Sequence, residues 1–104
     1  MAKPKLLIVE DDEGICSQYR WGFPACEVLI THNRAAALNV VRSERPQIAI
    51  LDLGLPPDAD GESEGFATLA EMQRIAPDMK TIVATGNGEK RNALRAIANG
   101  AYDF

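Results

Sequence analysis

Four short apolar runs punctuate the chain: Leu6-Leu7-Ile8-Val9, Val28-Leu29-Ile30, Ile48-Ala49-Ile50-Leu51 and Thr81-Ile82-Val83-Ala84. None alternates with polar residues. Runs this short and this rich in β-branched residues predict strands buried on both faces, as in a parallel sheet covered by helices. The segments between them repeat at helical spacing. Ile15, Tyr19 and Phe23 recur every four residues before Pro24, and Ala35, Leu38 and Val41 precede Pro46. Phe66, Leu69, Met72 and Ile75 step by three before Pro77. Ala93 and Ile97, followed by Gly100 where a left-handed cap is wanted, predict a fourth helix. The order is β-α-β-α-β-α-β-α, with the first residues of a fifth strand at Ala101 to Phe104. Regular alternation of this kind predicts an α/β fold, a doubly wound parallel sheet with helices on both faces and right-handed crossovers. Ligands of such sheets bind at the carboxyl ends of the strands, so the residues that follow each run are the ones to read for function.

Composition narrows the class without naming it. With 104 residues, 46% of them hydrophobic, the chain is one domain able to bury a core without metal or disulfide staples. No apolar run approaches the roughly 20 residues of a membrane span, and Met1 to Lys5 lacks a secretory signal pattern, so a cytoplasmic location away from membranes is expected. A formal net charge of −4 argues against direct contact with nucleic acid. Cys16 and Cys26 form no CxxC pair, and with His32 they do not make a zinc site; both read as reduced, buried packing residues, and His32 as a polar residue at a strand end.

The strand ends carry the chemistry. The first run delivers Glu10, Asp11 and Asp12, the third delivers Asp52, and the fourth delivers Thr85 followed by Gly86 and Asn87. If the first and third strands are neighbours, these carboxylates meet, and like charges at close range raise one another's pKa. A divalent cation resolves the conflict. All the ligands are hard oxygens, which selects Mg²⁺. A cation beside Asp52 suits phosphoryl chemistry with a carboxylate nucleophile, and Thr85 would hydrogen-bond a phosphoryl oxygen. The competing reading of Asp11 or Asp12 is a helix N-cap. It is weaker for Asp52, because Gly54, Leu55, Pro56 and Pro57 follow and start no helix.

Taken together, Leu6 to Asp12, Ile50-Leu51-Asp52-Leu53-Gly54-Leu55-Pro56, Val83-Ala84-Thr85-Gly86 and Gly100 to Phe104 resemble the receiver domains of two-component response regulators, in that family's order and spacing. The resemblance implies a flavodoxin-like sheet of order 2-1-3-4-5. It implies that Asp52 accepts a phosphoryl group from a sensor histidine kinase, with Mg²⁺ as cofactor. Asp11, Asp52 and the backbone carbonyl of Gly54 would ligate the metal directly, and Glu10 through water. Thr85 would be the switch hydroxyl and Phe104 the switch aromatic that turns inward on activation. Such a domain is a signalling phosphoacceptor that assists only its own phosphorylation and dephosphorylation, and not an enzyme acting on other substrates. It would control an output domain, and the family also allows a homodimer.

Two departures from the family pattern stand out. The loop Gly54 to Gly65 is long and acidic, a partner-contact surface or simply a solvated loop, and it resembles regulators of exopolysaccharide-linked, PEP-CTERM-associated genes, in which a receiver precedes ATPase and DNA-binding modules of the sigma-54 type. The family's Lys, three residues beyond the position of Phe104, is absent. The expectation is therefore a receiver over 1–104 whose fifth strand and last helix are missing or incomplete, and which accepts phosphoryl groups poorly until extended through that Lys. Other readings fare worse. A haloacid-dehalogenase-type phosphatase needs an acid where Gly54 stands. Asp58, Asp60 and Gly61 miss the spacing of a calcium loop. The glycines at 86 and 88 match no nucleotide-binding motif. A receiver-like docking module that is never phosphorylated is the remaining alternative.

Overall fold

The computed structural model describes residues 3–57 and 63–83. Strands β1 (Lys5–Val9), β2 (Glu27–Thr31), β3 (Ile48–Leu51) and β4 (Lys80–Val83) alternate with helices α1 (Glu13–Gly22), α2 (Arg34–Glu44) and α3 (Ser63–Ile75). The sheet is wholly parallel, in the order β2-β1-β3-β4. This is the doubly wound α/β sheet that the apolar runs predict, with the expected 2-1-3-4 order. The predicted fourth helix and the fifth strand lie outside the described residues.

Register sorts the strand residues onto two faces. Leu7, Leu29, Ala49 and Thr81 form one row across the sheet, and Val9, Thr31, Leu51 and Val83 form the next on the same face. Leu7, Val9, Ala49, Leu51 and Val83 join Ala37 and Val41 of α2 and Phe66, Leu69 and Met72 of α3 in the core cluster. The other face carries the row Ile30, Ile8, Ile50, Ile82. Of these, Ile8 is wholly buried, while Ile30, Ile50 and Ile82 are half-buried. Double-sided burial therefore holds for β1 but not for its neighbours. Among the described residues both α1 and α2 contact β2, and α1 buries only Cys16. Its predicted apolar stripe stays largely open, with Ile15 at 40% and Phe23 at 37% exposure. Tyr19 and Phe23 stack on each other at 6.1 Å between ring centroids. Cys26 is half-buried where full burial was expected.

Helix ends follow local chemistry. Asn33 caps α2 by accepting from the Ala36 N–H at 2.9 Å. The helix stops on Arg45, which adopts left-handed φ 49° and ψ 61° immediately before Pro46. A side chain there costs roughly 1 kcal/mol that glycine avoids. Arg45→Gly is expected to raise unfolding stability by up to about 1 kcal/mol in urea titrations, even though glycine makes the unfolded chain more flexible; a loss of stability would contradict the strain.

Candidate functional site

Neighbouring β1 and β3 bring the acids together. The pair Val9 and Leu51 ends the ladder, and the pairing runs on by one residue where the Asp52 N–H donates to the Val9 carbonyl at 2.9 Å. On the other side of β1 the Glu10 N–H donates to the Thr31 carbonyl at 3.0 Å. Glu10 and Asp52 are thus fixed by backbone on adjacent strands. Beyond Asp52 the chain dips back into the core, with Leu53 and Leu55 buried on either side of half-exposed Gly54. That double anchor holds the segment after Asp52 against the core.

One carboxylate oxygen from each of Glu10, Asp11 and Asp52 lies within 4.8 Å of the other two. Asp12 is not part of this group. It caps α1, its Oδ1 accepting from the Ile15 N–H at 3.1 Å, while its own N–H donates to Glu10 Oε2 at 3.1 Å. Asp12 closes the helix and Asp11 joins the cluster, a division that residue type alone left open and that the family resemblance implies.

Crowding shows in the proton affinities. Burial, then the charges of Asp52 and Asp11, push Glu10 from an ordinary 4.5 up to about 7, against the pull of the Asp12 N–H. Asp52 is also raised, chiefly by burial and by the Asp11 charge, although the Gly54 and Leu53 N–H groups donate to its carboxylate and draw it back. Half-buried Tyr19 feels the same field: burial first, then Glu10 and Asp52, lift its phenol above the usual range. Three crowded oxygen donors fit a hard divalent cation such as Mg²⁺, and among the described residues no thiolate or imidazole enters the set to favour a softer one.

This cluster sets a pH dependence whose sign differs from that of an ion-paired carboxylate. With Glu10 raised from 4.5 to about 7, the folded chain holds more protons than the unfolded one inside that window. The metal-free protein should therefore lose stability as pH rises from about 4.5 to about 7, by on the order of 1–3 kcal/mol once water at the open side is allowed for. Saturating Mg²⁺ should abolish the loss, and Glu10→Gln should flatten it. Urea midpoints at the two ends of the window test this; a metal-free chain that gains stability across it would contradict the crowding.

Cys16 and His32, read from sequence as a packing residue and a strand-end polar residue, both contact the Glu10 backbone. Its carbonyl accepts from the Cys16 thiol at 3.3 Å and lies 2.9 Å from His32 Nδ1. A carbonyl only accepts, so the ring carries a proton on Nδ1. His32 Nε2 faces Glu13 Oε1 at 3.1 Å. Burial, then the nearby Glu10 and Glu13 charges, push the Cys16 thiol up, consistent with a reduced packing residue. Nothing in the spacing of Cys16 and His32 announces this shared acceptor. Thr85, Phe104 and Asn87 lie outside the described residues, as does the loop segment 58–62. The described part of the loop is shorter than sequence suggested, because Ser63, Glu64 and Gly65 already belong to α3.

The model of the response regulator receiver domain matches residues 6–104. The chain belongs to this family. Among curated proteins, the receiver is 29% identical over 101 residues to the transcriptional regulatory protein GlrR of Escherichia coli K12, covering 95% of this chain and 22% of GlrR. Among solved structures, a CheY-like receiver domain protein from Methanospirillum hungatei matches with a TM-score of 0.83 and 27% identity, over 96% of this chain and 78% of that one. NtrX of Brucella abortus matches with a TM-score of 0.85 and 26% identity, over all of this chain and 23% of NtrX. The chain thus spans about a fifth of the length of GlrR. Receiver domains generally bind Mg²⁺ at an acidic pocket, and this chain has an acidic cluster of Glu10, Asp11 and Asp52. Among the described residues no helix is long and apolar enough to cross a membrane.

Proposed function

We propose that this receiver takes a phosphoryl group from a sensor histidine kinase onto Asp52 and uses it to switch an output function in transcription. The observation that carries the reading is the convergence of Glu10, Asp11 and Asp52 within 4.8 Å at the carboxyl edge of the sheet. An Asp52 carboxylate oxygen forms the new O–P bond as the P–N bond of the phosphohistidine breaks, and the departing imidazole nitrogen takes up a proton from water. The Gly54 and Leu53 N–H groups hold the carboxylate in place for that attack. Mg²⁺, held directly by Asp11, Asp52 and the Gly54 carbonyl and through water by Glu10, would neutralise the phosphoryl oxygens and the crowded carboxylates.

In this reading Thr85 supplies the switch hydroxyl and Phe104 the switch aromatic, and the phosphoryl group shifts the balance between two conformers. The receiver acts on its own aspartate and on no other substrate. The transcriptional relatives support an output domain, with ATPase and DNA-binding modules as one form of it, in the cytoplasm and away from the membrane; a homodimer of receivers is compatible with this. The test is incubation of the chain with a small phosphoramidate donor. Labelling that needs Mg²⁺ and stops when the metal is chelated is expected. Labelling is expected to be weak in this chain and stronger in one extended through the family's fifth-strand Lys; no labelling of either would favour a docking module instead.

A further inference from the structure

A second site lies at the opposite end of the sheet. A cavity of about 620 Å³ opens between the C-terminal ends of α2 and α3 and the starts of β3 and β4. It sits about a strand length, roughly 13 Å, below the acidic cluster. Val41 and Met79 form a buried floor, and half-buried Ile48 and Ile75 form the sides. Among the described lining residues, the mouth carries the cations Arg42, Arg45 and Lys80 and the anion Asp78. On a chain of net charge −4 this is a local reversal of sign. Arg42 is balanced in part by the charge of Glu71 on α3. Arg45 makes no ion pair among the described residues, and its left-handed backbone places it at the rim.

We infer that this cavity binds a small organic anion with an apolar body. The volume falls in the range of about 300–1,000 Å³ typical of small-molecule sites and is far larger than an inorganic ion needs. The apolar floor takes the body of such a ligand by removing it from water. The cationic mouth takes its carboxylate or sulfonate, with guanidinium groups that can pair in bidentate fashion. The site is independent of Asp52 and does not require that residue to be phosphorylated.

The probe is 8-anilinonaphthalene-1-sulfonate, titrated into the full chain by fluorescence, with methyl chemical shifts of Ile48, Ile75 and Met79 locating it. One-site binding is expected, with shifts at those methyls and unchanged affinity in Asp52→Asn. Arg42→Ala combined with Arg45→Ala should weaken it at least tenfold, and so should replacing the probe by uncharged N-phenyl-1-naphthylamine. Asp78→Ala, which removes an anion at the mouth, should tighten it. Affinity indifferent to these charges, shifts confined to the Trp21 and Phe23 face, or no saturable binding would each overturn the assignment.

Discussion

Asp52→Asn is expected to reduce phosphoryl incorporation to background, at least a hundredfold, while making the metal-free protein more stable. Both effects come from one carboxylate. In the proposed reaction its oxygen is the nucleophile, and an amide in the same place lacks the charge and electron pair that attack requires. The same carboxylate is raised in pKa by burial and by Asp11, and it helps to raise Glu10, so the fold carries it at a cost. Asparagine keeps the shape and leaves a carbonyl oxygen to accept from the Gly54 and Leu53 N–H groups. At a pH above about 7 the gain should be about 1 kcal/mol, read as a higher urea midpoint. Adding Mg²⁺ should stabilise the native protein more than the variant. A variant that is inactive because it is unfolded would fail this pair of measurements, whereas loss of labelling with a gain in stability separates chemistry from folding.

The largest structural effect is expected from Gly65→Ala. By helix propensity alone this change in the first turn of α3 should stabilise by about 1 kcal/mol. The packing reverses the sign. A Cβ on Gly65 would lie 2.3 Å from the Leu53 Cα, 2.5 Å from its carbonyl oxygen and 2.7 Å from its carbonyl carbon. All three are backbone atoms, so no side-chain rotation relieves the overlap; either α3 or the segment after Asp52 must move. Overpacking of this kind costs roughly 3 kcal/mol, which for a domain of this size lowers the melting temperature by on the order of 15 °C. Because Leu53 adjoins Asp52, labelling should fall with stability. A variant as stable as the parent would show that α3 does not approach Leu53 this closely.

The contrast between these two residues shows what the sequence carries plainly and what it hides. Asp52 is legible because it follows a continuous apolar run and precedes Gly54 and a pair of prolines, a context that starts no helix. The parallel order is legible for the same reason, since short runs separated by helical stretches leave few topologies. Gly65 reads as one more glycine in an acidic loop, because a requirement for backbone contact between α3 and Leu53 has no local signature. Residue type alone does not choose between Asp11 and Asp12; the family's spacing points to Asp11, and the structure shows the physical reason, since it is the Asp12 side chain that reaches the Ile15 N–H. The stripe Ile15, Tyr19, Phe23 has correct helical spacing, yet Cys16 is the residue α1 buries. Periodicity identifies a helix more securely than it identifies which arc of the helix meets the sheet. The cavity below β3 and β4 is formed by segments distant in sequence and by a strained arginine that no pattern marks.

The central claim is that one carboxylate, Asp52, held among Glu10 and Asp11, is the phosphoryl acceptor. The most direct measurement labels the chain with a small phosphoramidate in Mg²⁺, traps the acyl phosphate by borohydride reduction, and locates the reduced residue by peptide mass. A single site at Asp52, absent when Mg²⁺ is chelated, is the predicted result. Labelling at another residue, or equal labelling with and without the metal, would contradict it.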